Sequence, residues 1–474
     1  MRHCLWFCGL LSTLLPGAVH AHSFGRLYNL PVPFWMYIYG AAAALLLSFL
    51  LVAWFATASA QAPESAPRSA FTLRAPRLLM ALKWLAVFGL LLTMATGFLG
   101  NRDPYRNFSM TFFWVVFVLA FAYLTALIGD LYAEINPWAT IAQWLDRAIP
   151  GFTQGRFRYP GWLGYWPALA FYMAFIWIEL FGHSRPLSLA TLLAAYSLLS
   201  MAGVWLVGAV AWFRYCEFFA VFLRLLARMA PVEYGQRGLR LRMPFTGLLE
   251  QPVERWSLLV FVLFMLSSTA FDGLAATKVW IQLFWGDPLG ILEPWIGTKP
   301  IFEFPALRPV YFAWQTFCLL LSPFLYLGVY LMATALMKCI TQSPLPLREL
   351  ALRFALSLLP IVLVYNITHY YTLILTQGVK IVSLLSDPFG WRWNLFGTAE
   401  LFRAPFLPGM NLVWHTQVGL ILFGHIVSVY LAHMEALRIF PTRRLAAISQ
   451  IPMLLLMVLF TSVGLWILAQ PITS

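Results

Sequence analysis

The chain has 474 residues, of which 61% are hydrophobic and only 10% charged; a soluble domain carries about 25% charged residues. That balance excludes an ordinary soluble domain, and apolar runs of about 18 residues or more point to an all-α, polytopic helical membrane protein. A net charge of +13 raises nucleic acid as a partner, and the placement of the charges along the chain excludes it.

Residues 1–21, MRHCLWFCGLLSTLLPGAVHA, read as a secretory signal, with Arg2 first, an apolar middle, then Val19 and Ala21 where a signal peptidase reads. Cleavage there leaves His22 as the amino-terminal residue, whose amine and ring together are a candidate copper chelate. Cys4 and Cys8 fall in the signal. Cys216, Cys318 and Cys339 remain, with no CxxC or zinc-like spacing, so no structural disulfide is expected.

Residues 22–474 form one membrane domain of ten expected spans, at about 34–56, 78–100, 110–129, 162–182, 187–213, 256–285, 310–336, 349–377, 411–437 and 452–470. If the signal exports the N-terminus, the inner loops carry eighteen Lys and Arg and the outer loops nine. The bias fits the positive-inside rule and makes the excess charge a topology signal. The expected setting is a bacterial inner membrane, with the mature N-terminus and the C-terminus both extracytoplasmic. The loop 57–77 is small and Pro-rich. Asn136-Pro137-Trp138 starts a short amphipathic helix. Residues 214–230 read as an interfacial helix whose Arg214, Arg224 and Arg228 snorkel to headgroups. Trp285, Trp295, Trp391 and Trp393 in the outer loops read as interface anchors.

Polar groups inside spans are costly and mark candidate function. Asp272 lies in the sixth span, Asn366, Thr368 and His369 in the eighth, and His415, His425 and His433 in the ninth, with Glu435 close behind. Glu179 and His183, four apart, fall on one helix face and read as interface polarity. Counted at 1.5 Å per residue, His369 lies about 24 Å above Arg353 and Asp272 about 24 Å above Trp256, so the two can share a depth. His425 and His433 are about 12 Å apart along the axis and about 80° around it, too far to share one ion. A mononuclear centre of Asp272, His369 and either His425 or His415 is expected, with His433 and Glu435 left to a second metal or to structural hydrogen bonds.

The segments HSFGRLYNLPVPFW, INPW, TAFDGL, THYYTLILTQG, SDPFGWRWNLFG and GHIVSVYLAHMEAL resemble the bacterial polytopic membrane proteins named fenitrothion hydrolase. The resemblance covers most of residues 22–438. The chain departs from that family's His-x-Asp at His433-Met434-Glu435. It implies hydrolysis of the aryl phosphoester bond of lipophilic phosphotriesters or thiophosphates, substrates that partition into membrane lipid. Such chemistry commonly uses a divalent ion, zinc or similar, to polarise the phosphoryl group and activate water; Asp272, His369 and His425 are the expected catalytic set. Two other classes compete. A copper or proton permease would use His22, Asp272 and the line His415, His425, His433 as a polar path. A haem-bearing electron-transfer protein would use two histidines as axial ligands.

Overall fold

The computed structural model describes residues 33–55, 76–235, 238–402, 405–406 and 408–470. The expected signal 1–21, His22 and most of the loop 57–77 lie outside the described residues. In chain order the helices are α1 (Phe34–Phe55), α2 (Pro76–Leu99), α3 (Phe108–Ile128), α4 (Leu131–Ile135), α5 (Pro137–Ala148), α6 (Trp166–Phe181), α7 (Pro186–Val207) and α8 (Phe218–Ala227). A two-stranded antiparallel ribbon follows, β1 (Val232–Gly235) with β2 (Gly238–Leu241), pairing Val232 with Leu241. Then come α9 (Trp256–Ala275), α10 (Lys278–Trp285), α11 (Phe304–Thr341), α12 (Leu347–Thr376), α13 (Met410–Ile439) and α14 (Arg443–Ala469).

Nine of these helices are long and apolar enough to cross a membrane. The remaining expected span, the fourth, is α6, only 16 residues long, about 24 Å against a hydrocarbon core of about 30 Å. It nevertheless runs the length of the bundle beside α9. The Tyr165 N–H donates to Ser257 Oγ at 2.9 Å at one end, Tyr172 packs on Phe261 and Phe264 midway, and Glu179 reaches the cavity beside Asp272. The expected sixth span breaks in two because Thr277 caps a new helix, accepting from the Trp280 N–H.

At the centre stands α9, every residue from Ser257 to Asp272 buried. A helix apolar on all sides belongs inside a bundle, and α6, α11, α12 and α14 pack around it. On one flank α1 joins α13 and α14, and on the other α2 pairs with α7.

Two segments fold back into the bundle. Gly208 (φ 85) ends α7, residues 209–216 turn inward, and the chain reverses at Glu217 into α8. Likewise α4 leads to a reversal at Asn136, whose side chain caps α5. The two tips meet: Asn136 Nδ2 donates to Glu217 Oε2 at 3.4 Å, and Tyr196 donates to Glu217 Oε1 at 2.6 Å. Tyr196 is ten residues into α7, so both tips sit about 15 Å from either end of that span. The sequence expectation for 214–230 was a helix lying along an interface. Instead seven of the ten residues of α8 are buried, because the Glu217 carboxylate accepts the Phe219 and Ala220 N–H groups. A helix start whose donors are satisfied can be placed in apolar surroundings.

Candidate functional site

Asp272 is the seventeenth residue of α9, and His369 and Tyr370 lie on the facing turn of α12. Asp272 Oδ2 is 2.8 Å from His369 Nε2, and the Tyr370 hydroxyl donates to the same oxygen at 2.7 Å. The bond fixes Asp272 and His369 at one depth. Asp272 is buried, while 16% of the His369 side chain is exposed. Gly273 makes room for α14: a methyl group there would stand 2.7 Å from Ile467 Cγ2, while His369 Cε1, at 3.7 Å, would be in ordinary contact.

Beside this trio is a cavity of about 30 Å³, room for one or two waters. Glu179 from α6, Ser268, Thr269 and Asp272 from α9, and Asn366 and Tyr370 from α12 give it a polar side. Phe218 and Phe219 of the re-entrant helix belong to its apolar lining. Asn366 is held by the Tyr123 hydroxyl, which donates to Oδ1 at 2.8 Å. Glu179 thus faces the cavity. Its expected companion His183 lies past the end of α6 in left-handed backbone (φ 40), off the helical face.

The three histidines of α13 stand apart from this cluster. His415 is exposed, its Nδ1 2.8 Å from the Asn411 carbonyl. His425 is wholly buried and lines a second cavity with Leu266 and Ala270 of α9. Ser268 and Leu266, or Asp272 and Ala270, are two residues apart, about 160° around the helix, so α9 stands between His425 and the Asp272 cavity. His433 is buried against the Phe49 ring, and neither ring nitrogen has a hydrogen-bond partner among the described residues. Glu435 lies 3.8 Å from Arg353 and 3.5 Å from Arg438.

Among the described residues no three His, Cys, Asp or Glu side chains converge as ligands for an ion. Asp272 and His369 make two, where catalytic zinc takes three from the protein. The expected third, His425, is placed elsewhere. Tyr370, Glu179 and Glu217 are the polar groups that the sequence reading passed over or assigned to other roles. Tyr370 is hidden in an aromatic run, and only its position one residue after His369 signals it.

Compared with protein-family profiles, with curated proteins and with solved structures, the chain matches none.

Proposed function

We propose that the protein is a membrane-embedded hydrolase of lipophilic phosphotriesters and thiophosphates, in which the Asp272–His369 pair is the base. The observation that carries this reading is the 2.8 Å bond between two titratable side chains from different spans, next to a water-sized polar cavity. Water supplied by the cavity reaches the partly exposed edge of His369, attacks phosphorus there and gives its proton to the pair. The P–O(aryl) bond breaks and the aryl oxide leaves with the electron pair. Tyr370, donating to Asp272, holds the carboxylate in place for that transfer. The triester, too large for the cavity, meets the partly exposed edge of His369 from the lipid side. The residues present do not fit a three-ligand zinc centre, so no step is drawn through a metal ion.

The orientation follows the charge bias: the arginine-rich end, with Arg214, Arg228 and Arg255, faces the cytoplasm, and both chain ends are extracytoplasmic. The setting is the bacterial inner membrane, with a cleaved signal ahead of His22. Reporter fusions that export residues 214–255 would reverse this orientation.

A proton permease is the second reading, favoured by the size of the cavity, which suits a proton carried on water better than an organic ligand. One experiment separates the two. Detergent-purified protein should release nitrophenol from an aryl dialkyl phosphate, and Asp272→Asn should not. Lack of turnover in the wild type, together with an Asp272-dependent collapse of a pH gradient in liposomes, would replace the hydrolase by the permease.

A further inference from the structure

The second cavity, about 20 Å³ in volume, has room for one water. Five helices meet there: Leu266 and Ala270 come from α9, Tyr326 from α11, Tyr365 from α12, His425 from α13 and Gly464 from α14. Tyr365 packs its hydroxyl against Gly464, where any side chain would collide with it.

His425 is the group that this junction does not explain. Its Nδ1 lies 2.8 Å from the Ile421 carbonyl. A carbonyl only accepts, so Nδ1 carries the proton and Nε2 carries a lone pair. Nε2 is buried and makes no hydrogen bond to the described protein. A buried acceptor without a donor is costly, and the residue that carries it lines a cavity.

We infer that His425 Nε2 binds one neutral hydrogen-bond donor, a single buried water, in the cavity between α9, α11, α12, α13 and α14. The chemistry of the lining selects a neutral occupant. A metal ion would bring charge into a cavity that no carboxylate or thiolate lines, and an uncompensated buried charge is costly. The same argument rejects an imidazolium. The volume rejects anything much larger than water. Water donates one proton to Nε2 and keeps a second donor and two acceptor sites for the tyrosine hydroxyls of the same cavity. This assignment takes His425 out of any metal centre and is independent of the hydrolytic reading.

A high-resolution cryo-EM structure of the full chain tests it. A peak of water strength at about 2.7–3.2 Å from Nε2 is the expected result, with no metal in stoichiometric amount that His425→Leu removes. His425→Leu, similar in bulk but without the acceptor, should lower the melting midpoint, and His425→Gln should recover part of the loss. Metal density at Nε2 would overturn the inference. So would a featureless cavity combined with an unchanged or raised melting midpoint in His425→Leu. If the leucine variant does not fold, the density in the wild-type structure alone decides.

Discussion

Two buried carboxylates, Asp272 and Glu217, sit in the same bundle and are held in opposite ways. Glu217 accepts from two backbone N–H groups, from Tyr196 and from Asn136. The backbone donors cannot give up their protons, so the carboxylate serves as a fixed cap that lets a helix begin inside the bundle. Asp272 accepts from His369 and Tyr370, side chains that can each pass a proton, beside a cavity of water size. Both are buried. On the proposed reading, the nature of the partners separates a structural carboxyl group from a working one.

The sharpest way to break this comparison is to neutralise each carboxylate and read both activity and folding. Asp272→Asn should cost about 10²–10⁴-fold in nitrophenol release, the range of a lost general base, with little change in yield or melting midpoint. Glu217→Ala should do the reverse. It leaves the Tyr196 hydroxyl and two N–H groups without an acceptor, at about 1–3 kcal/mol each, so little folded protein should be recovered. If Asp272→Asn fails to fold while Glu217→Ala folds and loses only activity, the two roles are exchanged.

The tyrosines give a finer version of the same contrast. Tyr370→Phe removes one donor from Asp272 and should lower kcat roughly tenfold, equivalent to about 1.4 kcal/mol. Tyr196→Phe removes one donor from Glu217 and should cost about 1 kcal/mol of stability with kcat unchanged. Equal effects of both on kcat would tie the re-entrant tip to the chemistry.

Much of the fold was legible in the sequence because hydropathy reports spans directly: nine of the ten expected spans each correspond to one helix, and the sixth to the two helices α9 and α10. The shared depth of Asp272 and His369 was legible too, since rise per residue from two ends of the same sign converts sequence into height. Rotation about a helix axis is a different quantity. It depends on which helices are neighbours, so His425, at a plausible depth, was grouped with residues that lie across α9. The re-entry of α8 was hidden because an apolar helix bearing Arg224 and Arg228 has the composition of an interfacial one. The signal was Glu217 itself, an acid standing where an N-cap stands, as Asn136 does before Pro137.

The smallest expected effect lies at the C-terminal end of the α5 re-entrant segment, and it separates the tip from the loop that follows. Asp146 accepts from the Thr153 backbone N–H and hydroxyl, and these bonds hold its carboxyl below the usual carboxylate range. A carboxyl lowered on folding stabilises the folded state above its unfolded pKa of about 3.9. That contribution is lost as pH falls through the lowered value. Asp146→Asn should therefore narrow the gap in melting midpoint between pH 7 and pH 3, by a small shift only, since the site is at the surface. Glu217→Gln, with its carboxylate at the buried tip, should leave that particular acid-side difference in place. A wild-type melting midpoint with the same pH dependence as Asp146→Asn would mean that the Thr153 bonds do not hold this loop in solution, and that the segment is anchored at its tip alone.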